Sequence, residues 1–233
     1  MLASVLRNLQ LVWSARRLGW ERLKKIVRLA WLYEKLDTEI KVFRQKSKVT
    51  CIKGCGKCCE NVYIDTSVIE LLPLAYILWN RPKKELWLKK LRTLPSQGQC
   101  VFYQKFSPGQ GRCRIYAFRP LMCRLFGFSA KRNKFAGKQW LLCSPLKNKL
   151  GMEYVRISQD INKDLPIPSV NGYRNGIHHA ATETEARLQP FPDALYEAMS
   201  VISFIIPLSK NKKLKFPPGI YKRFPVLIPG KNS

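Results

Sequence analysis

At 233 residues the chain can bury a core as one domain with extensions, or two at most, so its eight cysteines are not needed as a disulfide scaffold. Forty-two Lys and Arg against fifteen Asp and Glu leave a formal charge of +27, beyond what solubility asks of a small domain. This calls for an anionic partner: nucleic acid, an anionic membrane surface or an acidic protein. Residues 1–7 lack the pattern of a secretory leader, and the longest apolar stretches, 68–79 and 194–208, fall short of the ~20 residues of a spanning helix. A reducing, cytoplasmic setting and no transmembrane segment are expected.

Residues 1–46 carry apolar side chains at three- and four-residue steps, from Val5 and Leu9 through Trp20, Leu23, Ile26 and Val27 to Leu36, Ile40 and Phe43, which predicts a helix that Gly19 can interrupt. Its first half has seven Lys and Arg up to Arg28 and no acid before Glu21, so it is basic and amphipathic. Such a stretch can lie on an anionic membrane, resemble an organelle transit peptide, or pack on the core with its basic face solvated. After a cysteine-dense loop, residues 61–65 fit one short extended segment. Ser67 and Glu70 have capping-box spacing ahead of an apolar helix with Pro73 in its early turns. A helical pattern resumes over 83–94 with Leu86, Trp87 and Leu91 as its buried positions. Residues 95–98 form a loop leading to Cys100, and the turn 107–111 joins two short strands, 100–106 and 113–116.

Arg119-Pro120 reads as a helix start with Pro120 at the first helical position and Cys123 one turn inside, where the helix end would lower the thiol pKa. One amphipathic helix is expected over 152–162, and Pro166 and Pro168 break the chain. His178 and His179 read as loop or helix-start residues, since adjacent histidines rarely share one ion. Helices follow over 180–187 and 192–206. The tail from 207 has no acid, seven Lys and Arg, and five prolines, which suits an extended or disordered segment. The fold class is therefore mainly α with irregular cysteine-rich loops and a few short strands. It divides into a basic amphipathic helical extension (1–46), a cysteine-cluster domain (47–206) and a basic Pro-rich tail (207–233).

The chemistry is concentrated in Cys51-Ile-Lys-Gly-Cys55-Gly-Lys-Cys58-Cys59, followed by Cys100, Cys113, Cys123 and Cys143. Gly54 and Gly56 allow the chain to turn and to aim amides at sulfur. Cys55 and Cys58 have redox spacing, but no βαβ pattern surrounds them and six cysteines would remain unexplained, so ligation is preferred. Neighbouring side chains diverge, so Cys58 and Cys59 would serve two metal centres, or one would ligate while the other packs. A four-thiolate site with Zn(II) or a [4Fe–4S] cluster carries a charge of about −2. Lys53, Lys57, Arg112, Arg114, Arg119 and Arg124 lie beside the cysteines in sequence, and Arg119 and Arg124 are the candidates for supporting the centre.

The ordered set Cys51, Cys55-x-x-Cys58-Cys59, Cys100, Cys113-Arg-Ile-Tyr116-x-x-Arg119-Pro120-x-x-Cys123-Arg124-x-Phe126 and Cys143 resembles the YkgJ-type cysteine-cluster family, the CxxCxxCC zinc- or iron-chelating domain. It departs from the C-x-x-C opening, with three residues between Cys51 and Cys55. The resemblance covers about residues 51–145 and implies a zinc or iron–sulfur centre. The same motif occurs in flagellin lysine methylase, which implies redox or protein-modification chemistry as one role. The alternative is a zinc-stabilised basic module that binds nucleic acid or an anionic membrane surface. No carboxylate pair, Ser/His/Asp set or phosphate-binding glycine loop points to another reaction, and enzyme and binding module both stay open.

Overall fold

The computed structural model describes residues 2–60, 64–94, 98–208, 214, 215 and 217, with side chains described among these except at 2–18 and 208. Helix α1 (Leu2–Ser47) is followed by one turn, α2 (Lys57–Glu60), strand β1 (Asp65–Ser67), α3 (Val68–Trp79) and α4 (Lys84–Thr93). The hairpin β2 (Tyr103–Ser107) and β3 (Gln110–Cys113) leads through a 3-10 turn to α5 (Leu121–Leu125), and a second hairpin pairs β4 (Ser129–Arg132) with β5 (Lys138–Leu141). Helices α6 (Ser144–Leu150), α7 (Glu153–Lys163), α8 (Val170–Ala180) and α9 (Glu183–Ala186) precede β6 (Leu188–Pro190) and α10 (Phe191–Leu208). The strands form three separate antiparallel pairs, with β1 returning to β6. The chain is mainly α with short strands, and no helix among the described residues is long and apolar enough to cross a membrane.

The core assembles on α3, α10 and the second half of α1. Leu23, Ile26, Leu29, Ala30, Tyr33, Leu36, Ile40 and Phe43 keep the three-to-four step of one helix face and are buried. The same spacing on α10 buries Ala194, Leu195, Ala198, Met199, Ile202 and Ile205. Helix α3 is apolar nearly all round and buried nearly all round, as a central helix must be. α1 runs through Gly19 without a break. The side chains of its first 18 residues, where the expected basic face begins, lie outside the described set.

Several local expectations shift. Leu86 is 55% exposed while Trp87 and Leu91 are buried, because Leu86 sits a third of a turn from Trp87 on α4. The second strand ends at Cys113 and residues 116–118 form the 3-10 turn, so the strand expected over 113–116 lies three residues earlier. The expected helix over 180–187 is only the single turn α9, and α8 ahead of it, with His178 and His179 in its last turn, went unrecognised. The β4–β5 hairpin and α6 were also unforeseen, since residues 129–141 offer neither clean alternation nor a strong turn dipeptide. The expected loop at 95–97 and most of the expected extended segment, 61–63, lie outside the described residues, as does most of the tail. Leu214 of that tail is buried, and its amide donates to the Tyr76 hydroxyl at 3.1 Å.

A buried polar network sets α5 against the helices. Glu70 Oε1 accepts the Ser67 amide and hydroxyl, as the capping-box spacing predicts, and Oε2 accepts the Leu121 amide at 2.7 Å at the start of α5. The Tyr33 hydroxyl donates to the Glu70 carbonyl at 3.3 Å. Arg124, 1% exposed, donates through Nη1 to Asp37 Oδ2 at 2.7 Å, through Nε to the Arg119 carbonyl at 2.7 Å and through Nη2 to the Ala117 carbonyl. Its guanidinium lies over the Tyr33 ring, 4.4 Å from the centroid. Removing one side of a buried ion pair strands the other, so Arg124→Ala is expected to lower unfolding stability by about 3–5 kcal/mol in urea titrations. Arg124→Lys, which cannot reproduce the planar fork, should recover less than half of that loss.

Candidate metal centre

The cysteine loop is held against the first hairpin by an isolated β-bridge. Gly54 adopts a left-handed conformation (φ 72°), the Cys55 amide closes a turn on the Ile52 carbonyl, and Cys55 bridges to Gln110 while the Gly111 amide donates to the Gly54 carbonyl at 2.8 Å. Tyr103 locks this junction. Its side chain covers Gly56 and Gly111, where an added Cβ would collide with the ring edge and the hydroxyl oxygen, and that hydroxyl lies 3.2 Å from both Glu60 Oε1 and the Gln110 carbonyl. Gly56 and Gly111 therefore serve close approach, whereas Gly54 serves backbone conformation.

All eight cysteines line one cavity of about 450 Å³, together with Arg119 and an apolar wall that includes Ile115, Phe128, Leu146 and Phe191. None is in a disulfide. They arrive from different elements: Cys51 and Cys55 on the loop, Cys58 and Cys59 on α2, Cys100 before β2, Cys113 at the end of β3, Cys123 in α5, and Cys143 at the N-cap of α6. Cys59 is buried and Cys58 exposed, which is the divergence expected of adjacent side chains. The Cys100 amide donates to the Cys59 carbonyl at 3.0 Å, which pulls the two segments together. Among the described residues no three Cys, His, Asp or Glu side chains already stand as a ready ligand shell.

Two overlapping groups emerge. In the inner one the Cys59 thiol is within hydrogen-bonding reach of the sulfurs of Cys100, Cys113 and Cys58, any one of which can take its single proton, and the fields of Cys100, Cys113 and Cys58 also reach Cys123. In the outer one Cys51 feels Cys55, Cys58 and Cys143. Cys58 belongs to both. Cys59 holds its proton far above the ordinary thiol range, because that single proton is within reach of the sulfurs of Cys100, Cys113 and Cys58. The hydrogen bond from Cys59 pushes Cys58 down to about 6, against the opposing effect of burial and with help from Arg119. Hydrogen bonding to Cys59 also lowers Cys100 and Cys113. Backbone amides reach five of the sulfurs: Ile52 to Cys51, Cys58 to itself, Phe102 to Cys100, Ile115 to Cys113, and Leu146 to Cys143. Amide donors of this kind stabilise thiolates and tune bound metals.

Cys123 departs from expectation. Burial pushes its thiol up and outweighs the lowering by Arg119, so the start of a five-residue helix does not make it a ready thiolate. The two arginines also part ways. Arg119 lines the cavity, stacks on the Tyr116 ring at 3.6 Å and donates to the Tyr116 carbonyl at 3.3 Å. Burial opposes its charge, but Tyr116, Cys123, Cys113 and Asp37 outweigh this and hold its pKa up. Arg124 instead spends its donors on Asp37 and two carbonyls, so it positions α5 and does not face the thiols. Lys57 is paired with Glu60 at 2.8 Å and Arg112 with Gln104 at 2.9 Å. Tyr103, Glu70 and Asp37 are site-supporting residues that sequence reasoning missed; the Ser67–Glu70 spacing marked Glu70 only as a cap.

Gly111→Ala is expected to destabilise the protein by about 1–3 kcal/mol, the usual range for overpacking, and to reduce bound metal per chain. Tyr103→Ala in the same chain should remove most of the added penalty, which thermal melts of the two single variants and the double variant would reveal. In metal-free protein at neutral pH, iodoacetamide should alkylate Cys58 before Cys51. Both have surface exposed, but the hydrogen bond from Cys59 lowers the pKa of Cys58 to about 6, whereas the partly desolvated sulfur of Cys51 is shifted up, so Cys58 should carry the larger thiolate fraction. Peptide mass spectrometry over a time course gives the order directly.

Comparison with curated proteins and with solved structures finds no match. Residues 50–144, a stretch that holds every cysteine of the chain, match the family model of CxxCxxCC, described as a "putative zinc- or iron-chelating domain".

Proposed function

We propose that the cysteine cavity holds an iron–sulfur cluster, with thiolate-bound zinc as the competing occupant. One observation carries the reading: eight thiols spread over more than ninety residues line a single cavity, with one guanidinium facing several of them. A donor set of sulfur without nearby histidine or carboxylate selects soft or borderline metals over magnesium, calcium or manganese. The two overlapping groups that share Cys58 suit a polynuclear centre better than one tetrahedral ion. When bound, an iron–sulfur centre supplies electron transfer, and zinc supplies cross-linking or Lewis acidity. The chain's own part is to offset the thiolate charge with Arg119, to direct amides at sulfur, and to keep water out with Ile115, Phe128 and Phe191. A redox or protein-modification role would use the same cavity through its mouth, where Phe106, Tyr116 and Phe126 are exposed.

A second reading follows from charge. Residues 86–152 contain fourteen Lys and Arg and no acid, so the cysteine region is itself cationic and suits a polyanion. For the metal reading, anaerobic purification with elemental analysis and visible absorption is expected to give iron with thiolate-to-iron charge-transfer bands. Stoichiometric zinc in a colourless, iron-free protein would overturn the cluster and leave the cysteine ligands standing. Arg119→Lys is expected to lower metal retention, since a point charge on a flexible stem cannot keep the stack on Tyr116.

A further inference from the structure

We propose that the β4–β5 hairpin, together with the face of α7 behind it, is a binding groove for single-stranded nucleic acid. The proposal rests on the charge reading above and is independent of which metal the cysteines hold. The groove is a concavity of about 590 Å³ lined by Lys131, Arg132, Lys134 and Lys138 with Phe135, Gln139 and Tyr154. Among the described residues none of these four cations is paired with a carboxylate. The acids of adjoining α7, Glu153 and Asp160, are both engaged by Arg156. Lys147 and Lys149 on α6 add to the same sign, and Lys147 lies 4.8 Å from the Tyr154 ring centroid.

The groove is built rather than a loose loop. Asn162 of α7 clasps Lys138 by accepting from its amide at 2.8 Å and donating to its carbonyl at 2.9 Å. Trp140, with its indole N–H on the Gly127 carbonyl, stacks on Tyr154 with an interplanar angle of 17°. The tip is shaped by Asn133 Oδ1, which accepts the amides of Phe135 and Gly137 at 2.9 Å, and by Ala136 in a left-handed conformation. This order presents Phe135 to solvent at 80% exposure, with Lys134 4.9 Å from its ring centroid. An ordered, solvent-facing aromatic ring among cations gains nothing from folding, yet it offers a flat face for a base while its neighbours take phosphates. A duplex keeps its base faces stacked inside, and a flat bilayer would meet only the hairpin tip, so a flexible single strand fits the concavity best.

The test uses the full-length protein and fluorescence anisotropy with a labelled mixed-sequence strand of about 16 nucleotides, at the upper end of single-module site sizes. The matching duplex and phosphatidylserine-containing vesicles serve as competitors. The single strand should bind best, with log K falling against log salt at a slope of about −3 for four neutralised phosphates. Phe135→Ala should weaken binding roughly 10-fold with the slope unchanged, the signature of lost stacking. The triple change Lys131→Gln, Lys134→Gln, Lys138→Gln should flatten the slope by about 2. Lys83→Gln, Lys89→Gln, Lys90→Gln, equal in charge but placed around α4, should leave affinity nearly as it was. Circular dichroism and metal content check that each variant is folded. Failure of wild-type protein to bind the oligonucleotides or the vesicles at low salt would overturn both the charge reading and the groove, and preference for the duplex over the single strand would overturn the groove alone. Firm binding that ignores the hairpin changes, or that falls equally with the α4 changes, would overturn the groove alone. Vesicles winning the competition would make the partner a membrane surface and overturn the nucleic-acid assignment.

Discussion

The buried guanidinium of Arg124 is the constraint on which the site depends. It joins α1, through Asp37, to the carbonyls of Ala117 and Arg119, so the turn that carries Arg119 and the helix that carries Cys123 are fixed to the longest helix of the molecule. A charge taken so far from water is tolerable only when it is well hydrogen-bonded and its counter-charge is close, and here each of the three guanidinium nitrogens donates. Glu70 does the matching work from α3 by accepting the Leu121 amide. The two buried side chains thereby tie the same short helix to α3 and to α1, and the cavity wall inherits its position from them.

Electrostatically the cavity is a place where negative charge is prepared in steps. Arg119 and the amides directed at sulfur favour thiolates, while burial at Cys123 and Cys143 and the proton held by Cys59 oppose them. A metal would displace those protons, so affinity should couple to pH through the most strongly held ones. The surrounding excess of Lys and Arg would suit a negatively charged centre, and of the two arginines that line the cavity Arg119 is the one whose charge is coupled to Cys113 and Cys123, while Arg112 is held by Gln104.

Much of the molecule was legible in sequence wherever one signal dominated. The Ser67–Glu70 cap located α3, the apolar periodicity located α1 and α10, and the cysteine order located the cavity. What was not legible depended on partners far along the chain. Arg124 has the same composition cues as Arg119, and only the tertiary placement of Asp37 separates a positioning residue from one facing the thiols. Tyr103 looked like an ordinary strand residue, because its role is written in two glycines that flank it at a distance, Gly56 and Gly111. The β4–β5 hairpin escaped notice because Asn133 and Ala136 shape its tip through side-chain acceptance and an uncommon backbone angle rather than through a recognisable dipeptide. Leu86 was placed on the wrong side because adjacent apolar residues leave a helix phase ambiguous.

Phe191 carries a consequence for the order of events during synthesis. As the first residue of α10 it closes part of the cavity wall and meets Phe102 edge-on, with ring centroids 6.0 Å apart. Every cysteine precedes it in the chain. On a growing chain, elongating at ~5–20 residues per second, the full set of thiols is therefore present for some seconds before the helix that shelters it has been made. If the cavity takes a metal, that interval would be the moment for loading, since all the thiols are present while their apolar cover is still missing, and α10 would then close the pocket as it docks on α3.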